Sequence, residues 1–408
     1  MKAVILNVGD EVLEGRVINT NSSFLSSSLL KVGIKTEKIV VVGDNERTLQ
    51  NEINSFINSD CDLLITTGGL GPTHDDFTKE LLAKTLDIEM ILNKDAKELL
   101  DNYFKDKYAD CNLKQAYFPK DSIIIPNKLG TADGAIIEKN NKIFIILVGP
   151  PFEMKPMFND SVLPYLKRKA KVSILINEYV LMGICESEAE DMLKLLYEKY
   201  PNINIAPYAS IGKIRYQITG AADETEMFIK ACTDFQELFS EYIVTSTIFN
   251  KDLLEIEELV VNNLKKKKYH ISFCESCTGG MLVSKIINVN GASDVINESL
   301  VTYSNEAKIK YLNVNKETIQ KYGVVSEQVV YEMANGLYRL TGSEVCVSVS
   351  GIAGPTGGTA NKPVGLVHFA IRIDNNTLCF HRVFRGGRDQ IRTGATMFIL
   401  YKINSLLK

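Results

Sequence analysis

Three short apolar runs, "KAVILNV", "EKIVVVGDN" and "CDLLITTGG", alternate with two stretches of helical spacing, "NTNSSFLSSSLLKVG" and "ERTLQNEINSFIN". No other feature narrows the fold as much. Apolar runs without polar alternation are strands covered on both faces, and the stretches between them are long enough for crossover helices. The order βαβαβ therefore predicts a three-layer α/β/α domain with a mostly parallel sheet. The later runs "DSIIIP" and "GAIIEKNNKIFIILVG" and a helix expected from Phe152 to Lys169 complete this domain, 1–169.

A chain of 408 residues is too long for one ordinary core. Residues 170–249 read as βαββα, a small α+β unit whose order is similar to KH-type domains. It carries no G-x-x-G clamp, so RNA binding is not inferred. A spacer or dimerisation role is expected for it, and a homodimer for the protein. Residues 250–408 alternate again between strands and helices and form a C-terminal α/β domain.

A net charge of -4 argues against a broad nucleic-acid surface, and the run Lys265 to Lys268 reads as a solvated turn. The first apolar run is too short for a signal sequence, and no stretch approaches the length of a membrane span. A soluble, cytoplasmic protein is expected. The 8 cysteines are scattered, which suits a reducing compartment. Cys274 and Cys277 form a C-x-x-C without the second close pair that a zinc ribbon needs.

That C-x-x-C belongs to "SFCESCTGG", a strand running into a turn with two glycines before the helical "MLVSKIINV". Gly279 and Gly280 let the backbone approach a ligand, the first amides of the helix point outward, and Ser276 and Thr278 add hydroxyls. An anion such as phosphate would suit the turn; a tight turn capped by Thr278 is the alternative. "SGIAGPTGGTANKPVG" places Ser350, Gly351, Gly354 and Gly357 in a long loop between two strands, and "FRGGRDQIRTGAT" adds Arg385, Arg388 and Arg392, natural partners of phosphate. Together these elements point to a phosphorylated small molecule.

Between the loops, Ser293 opens a helix, Tyr303 ends a strand and Lys308 follows on the first helical turns. A serine needs a base to become a nucleophile, and a desolvated lysine beside a tyrosine can serve. A Ser-Tyr-Lys arrangement fits better than a histidine triad, because His74, His270, His368 and His381 have no comparable setting. Ser293 as a plain helix cap is the alternative, and Ser276, exposed on its turn, is the rival nucleophile.

"ESCTGG", "GAS", "VTYSNEAK", "YGVVSEQVV", "SGIAGPTGG", "KPVGLV" and "GGRDQIR", in this order, resemble the C-terminal domain of the CinA (competence/damage-inducible protein A) family. "GDEVLEGRVINTNSSFL", "TTGGLGPTHDDFTKE" and "GPPFEMKPMF" resemble its N-terminal, molybdopterin-binding-like domain. The resemblance implies an amidohydrolase that turns nicotinamide mononucleotide into nicotinic acid mononucleotide and ammonia without a cofactor. Ser293 would be its nucleophile, Tyr303 and Lys308 the activating pair, and Ser276, Thr278, Ser350, Gly354 and Arg388 would line the mononucleotide site.

For the N-terminal domain the resemblance implies cleavage of ADP-ribose with Mg²⁺ or Co²⁺. Asp10, Glu11, Asp44, Asp75 and Asp76 would hold the metal, and Gly68, Gly69, Gly71 and Thr73 would meet the pyrophosphate. Three departures touch this activity. Asn19 stands where the family often has Asp, and Val148 and Phe152 stand where Pro and Ser are usual. The other roles considered are a non-catalytic nucleotide- or pterin-binding N-terminal domain, and an interaction partner in competence or DNA repair.

Overall fold

The computed structural model describes residues 1–105, 110–170, 174–248 and 253–408, and they form a mixed α/β structure. The chain divides into two compact units, 1–175 with 221–223, and 176–220 with 224–408. The expected boundary at 249/250 lies outside the described residues.

In the first unit, β1 (Lys2–Val8), β2 (Lys35–Val42) and β3 (Leu63–Thr67) are the three apolar runs, and all five residues of β3 are buried. A short antiparallel pair, β4 (Met90–Leu92) and β5 (Tyr117–Pro119), forms a separate sheet, and β6 (Ile123–Ile125), β7 (Gly134–Lys139) and β8 (Lys142–Leu147) join the main one. Its order is β2-β1-β3-β8-β7-β6. The pairs from β2 to β8 are parallel, while β7 runs antiparallel to β8 because the two-residue turn at Asn140 and Asn141, both with positive φ, leaves no room for a crossover, and β6 pairs antiparallel to β7.

The helix expected over 152–169 is present from Pro151 to Lys169, with a π-turn at Phe158–Val162. Pro156 and Pro164 supply no backbone N–H, and the ladder widens between them.

The second unit holds two sheets. β9 (Ile174–Leu181), β10 (Asn204–Ser210), β11 (Lys213–Ala221) and β12 (Ile243–Ser246) make one, in the order β10-β11-β9-β12. The sequence pattern misses β12, a four-residue strand directly after a helix, so the order is βαββαβ rather than βαββα. The other contains β13 (Ile271–Glu275), β14 (Ile296–Val301), β15 (Val345–Gly351), β16 (Leu366–Ile373) and β17 (Asn376–Val383), in the order β14-β13-β15-β16-β17. β13 runs parallel to both of its neighbours and is buried throughout. The site elements therefore hang from its C-terminal end. Among the described residues no helix is long and apolar enough to cross a membrane.

Candidate active site

The turn after β13 is built around a carboxylate. Glu275 is fully buried, and its Oε2 accepts from the Gly280 and Leu282 amides at 3.0 and 3.2 Å while Oε1 accepts from Val283 at 3.1 Å. The Gly279 N–H is spent on Ser276 O, at 3.1 Å. The amides expected to meet a phosphate are thus already occupied by the chain's own acid, which satisfies the start of helix Met281–Ile287. Gly279 and Gly280 take φ of +61° and +91° to bring the chain from strand to helix.

Arg392 completes the turn by donating from Nε to Cys277 O at 3.0 Å and from Nη2 to Thr278 O at 2.9 Å. Its guanidinium holds backbone rather than ligand. Cys274 and Cys277 point into different apolar clusters, and burial pushes both thiols up, Cys277 to about 11. Neither a redox pair nor a metal pair forms.

This turn presents Ser276 to Lys308. Lys308 lies on helix Asn305–Leu312, which is capped by Ser304, and its side chain is fully buried. Its Nζ is 2.7 Å from Thr302 O, 3.1 Å from Tyr303 O and 3.1 Å from Ser276 Oγ. Burial pulls its pKa down to about 8, with nearby Cys274 and Cys277 opposing. Two of its three partners are carbonyls, which can only accept. As an ammonium Lys308 donates to all three oxygens, Ser276 Oγ included; on losing one proton it can keep the two carbonyls and turn a lone pair toward the Ser276 hydroxyl.

The expected partnership of Ser293 with Tyr303 and Lys308 does not form. Ser293 is exposed on a single 3-10 turn, Ala292–Asp294, before β14, whereas Tyr303 and Lys308 follow its far end. β14 lies parallel to β13, with Ile271 opposite Ile296 and Glu275 opposite Val301. A six-residue strand spans about 20 Å, so Ser293 and Lys308 sit at opposite ends of β14. Tyr303 also differs from expectation: it meets Lys308 through its carbonyl, and its hydroxyl instead accepts from Arg388 Nη2 at 3.3 Å.

Ser276, Tyr303, Lys308, Ser350, Gly351 and Arg388 line one cavity of about 170 Å³. Arg388 is steadied by Gly354 O, 2.8 Å from Nη1, and Ser350 donates to Val324 O at 2.9 Å. Thr278, Gly279, Gly280, Gly354 and Gly357 are not in the lining: Thr278 is buried beneath the turn, and the glycines shape backbone. Asn305, Val324, Val325 and Ala353 also line the cavity, and no sequence signal singles them out. Glu275 was legible only as an acid closing an apolar run before Gly-Gly.

In the first unit, Glu11, Asp44, Gly68, Gly69, Gly71, Asp75 and Asp76 line a cavity of about 660 Å³ beyond the C-terminal ends of β1, β3 and β8. Thr73 is turned away, donating its hydroxyl and amide to Asp76. Asp10 is not in the lining either: its amide donates to Asp44 Oδ2 at 3.1 Å, and the Asp44 amide returns a bond to Asp10 Oδ1 at 3.3 Å. Partial burial, then the neighbouring charges of Asp10, Glu11 and Asp75, raise the Asp44 carboxyl.

Of the expected metal ligands Asp10, Glu11, Asp44, Asp75 and Asp76, all but Asp10 thus face one cavity. Among the described residues no three His, Cys, Asp or Glu side chains are grouped to hold a metal ion. Asn19 caps helix Thr20–Leu30 through Ser22 N, Val148 is buried, and Phe152 stands exposed at the cavity.

Two family descriptions match the chain: "CinA C-terminal domain" over 253–407 and "Probable molybdopterin binding domain" over 4–168. A protein named as competence-damage inducible in Clostridium botulinum (strain Kyoto) is 42% identical over 395 residues, 96% of either chain. A "CinA-like protein" of Kosmotoga olearia is 43% identical over 408 residues, 98% of this chain and 97% of its own. The solved competence/damage inducible protein CihA of Agrobacterium tumefaciens is 37% identical, covering 38% of this chain and 96% of its own, with a TM-score of 0.36.

Proposed function

We propose, for a chain that belongs to the CinA family, that the site around Ser276 hydrolyses the carboxamide of nicotinamide mononucleotide to nicotinic acid mononucleotide and ammonia. The observation that carries this reading is the buried Lys308 amine 3.1 Å from Ser276 Oγ, in a cavity with Arg388 at its wall. Neutral Lys308 takes the hydroxyl proton as Ser276 Oγ attacks the carboxamide carbon. The Cys277 amide, next in the chain, is the natural donor to the oxyanion. The lysine ammonium then protonates the departing nitrogen, and ammonia leaves an ester on Ser276. Water attacks this ester with Lys308 again as base, which frees the carboxylate and restores the serine. Arg388 supplies the phosphate contact that the glycine turn does not.

The test is ammonia release from nicotinamide mononucleotide by the purified protein. Ser276→Ala and Lys308→Ala are each expected to lower the rate by about 10³-fold or more. Ser293→Ala should run near the wild-type rate. A silent Ser276→Ala, or an inactive but folded Ser293→Ala, would return the nucleophile to Ser293.

For the first unit the geometry favours a binding role over ADP-ribose hydrolysis. Its cavity is large enough for a nucleotide, with glycine backbone along one wall, but the carboxylates do not fit a resident metal, and no step is routed through one. Calorimetry should detect ADP-ribose binding, while incubation with Mg²⁺ or Co²⁺ should release no AMP. Steady AMP formation, lost in Glu11→Gln with Asp44→Asn, would show a hydrolase instead.

A further inference from the structure

A second cavity in the 176–408 unit, about 200 Å³ in volume, is separate from the lining of the Ser276 site. The ends of β9 and β17, the turn between β10 and β11, and helix Arg388–Leu407 enclose it. Its walls approach the helix closely. Gly183 and Gly212 have φ of +91° and +83°, and a Cβ on either would meet Tyr401 Oη at 2.9 Å or Met397 Cβ at 2.6 Å. Only glycine lets these two turns close against the helix.

The lining combines flat apolar rings with positive charge. Phe384 and Phe398 stand edge to face with centroids 6.1 Å apart, and Tyr401 lies one helical turn further along the helix. The Arg382 guanidinium lies 5.7 Å from the Phe384 centroid and 5.6 Å from that of Phe398, and Arg385 lines the same space. Among the described residues neither arginine has a carboxylate partner. This sets Arg385 apart from Arg388, which donates to Gly354 O and the Tyr303 hydroxyl, and from Arg392, which donates to two backbone carbonyls.

Two uncompensated guanidinium groups beside aromatic rings complement a flat anion, since a carboxylate takes the guanidinium fork while its ring packs on the phenyl faces. The lining sets one ring's place, against Phe384, Phe398 and Tyr401, beside one acid group's place, at Arg382 and Arg385. We propose that this cavity binds a small one-ring aromatic carboxylate. The assignment needs nothing from the amidohydrolase reading.

Calorimetry on the full chain with benzoate tests it, with neutral benzamide and inorganic phosphate as probes of ring and charge alone. Benzoate should bind saturably, benzamide at least about tenfold more weakly, and phosphate should not displace benzoate at equal concentration. Arg382→Gln with Arg385→Gln should weaken benzoate by about tenfold or more at an unchanged melting temperature, while Arg388→Gln should leave it as in wild type. Equal affinity for benzoate and benzamide, full displacement by phosphate, retention in the double variant, loss in Arg388→Gln, or no saturable binding would each overturn the proposal.

Discussion

Lys308 carries two consequences that can be read separately. Its pKa near 8 leaves roughly a tenth of the amine neutral at pH 7, so ammonia release should climb with pH and level off just above 8. A rate independent of pH between 6 and 9 would remove the lysine from the role of base. The same shift acts on stability. The folded-state pKa lies below the ordinary value of 10.5, so the unfolded chain binds the extra proton between pH 8 and 10.5, and stability gains from Lys308 as pH rises through that window. The gain is about 3 kcal/mol at most. Lys79, also buried and also drawn down to about 8, behaves alike, so the Lys308 part is the difference between wild type and Lys308→Met in denaturant titrations at pH 7 and 10. At this scale the sequence was only half legible. It showed a serine, a tyrosine and a lysine in one neighbourhood, but chain separation does not reveal which end of a strand a side chain serves. Ser293 is nearer to Lys308 along the chain and a strand's length away in space, whereas Ser276 is more remote in sequence and hydrogen-bonded to it.

Elements were more legible because their signals are local. The three apolar runs became β1 to β3, and "VCVSVSG" and "LVHFAIRI" became β15 and β16. What escaped depends on tertiary partners: β12 exists because β9 offers it an edge, and the π-turn follows from the spacing of two prolines. Gly336 shows how closely elements meet near the site. It lies within helix Glu327–Thr341, where the carbonyl of Leu312, the last residue of the lysine-bearing helix, occupies the space of a Cβ. Alanine usually strengthens a helix, yet Gly336→Ala must push that helix away. We expect a loss of about 1–3 kcal/mol in urea unfolding together with slower ammonia release. A stabilised, fully active variant would show that the helices can separate without disturbing Lys308.

Over the whole molecule, charge decides how a substrate arrives. The chain carries a net charge of -4, so its general field repels an anionic nucleotide, and attraction must come from local cations. Arg388 is the cation at the Ser276 cavity, because Lys308 is sealed from solvent and Arg392 is committed to backbone. Raising the salt concentration should therefore raise KM for the mononucleotide without altering kcat, and Arg388→Gln should abolish that salt response. Equal salt sensitivity in both proteins would place the phosphate elsewhere. The Ser276 cavity and the cavity of the first unit belong to different compact units.

The acid at the end of β13 has an effect on evolvability. Many nucleotide folds can exchange one phosphorylated ligand for another by adjusting a glycine loop, since bare amides accept any oxyanion. Here Glu275 has already claimed the amides of Gly280, Leu282 and Val283, so, on the proposed function, a change of phosphate specificity is expected to pass through the far side of the pocket, at Arg388 and the loop that steadies it.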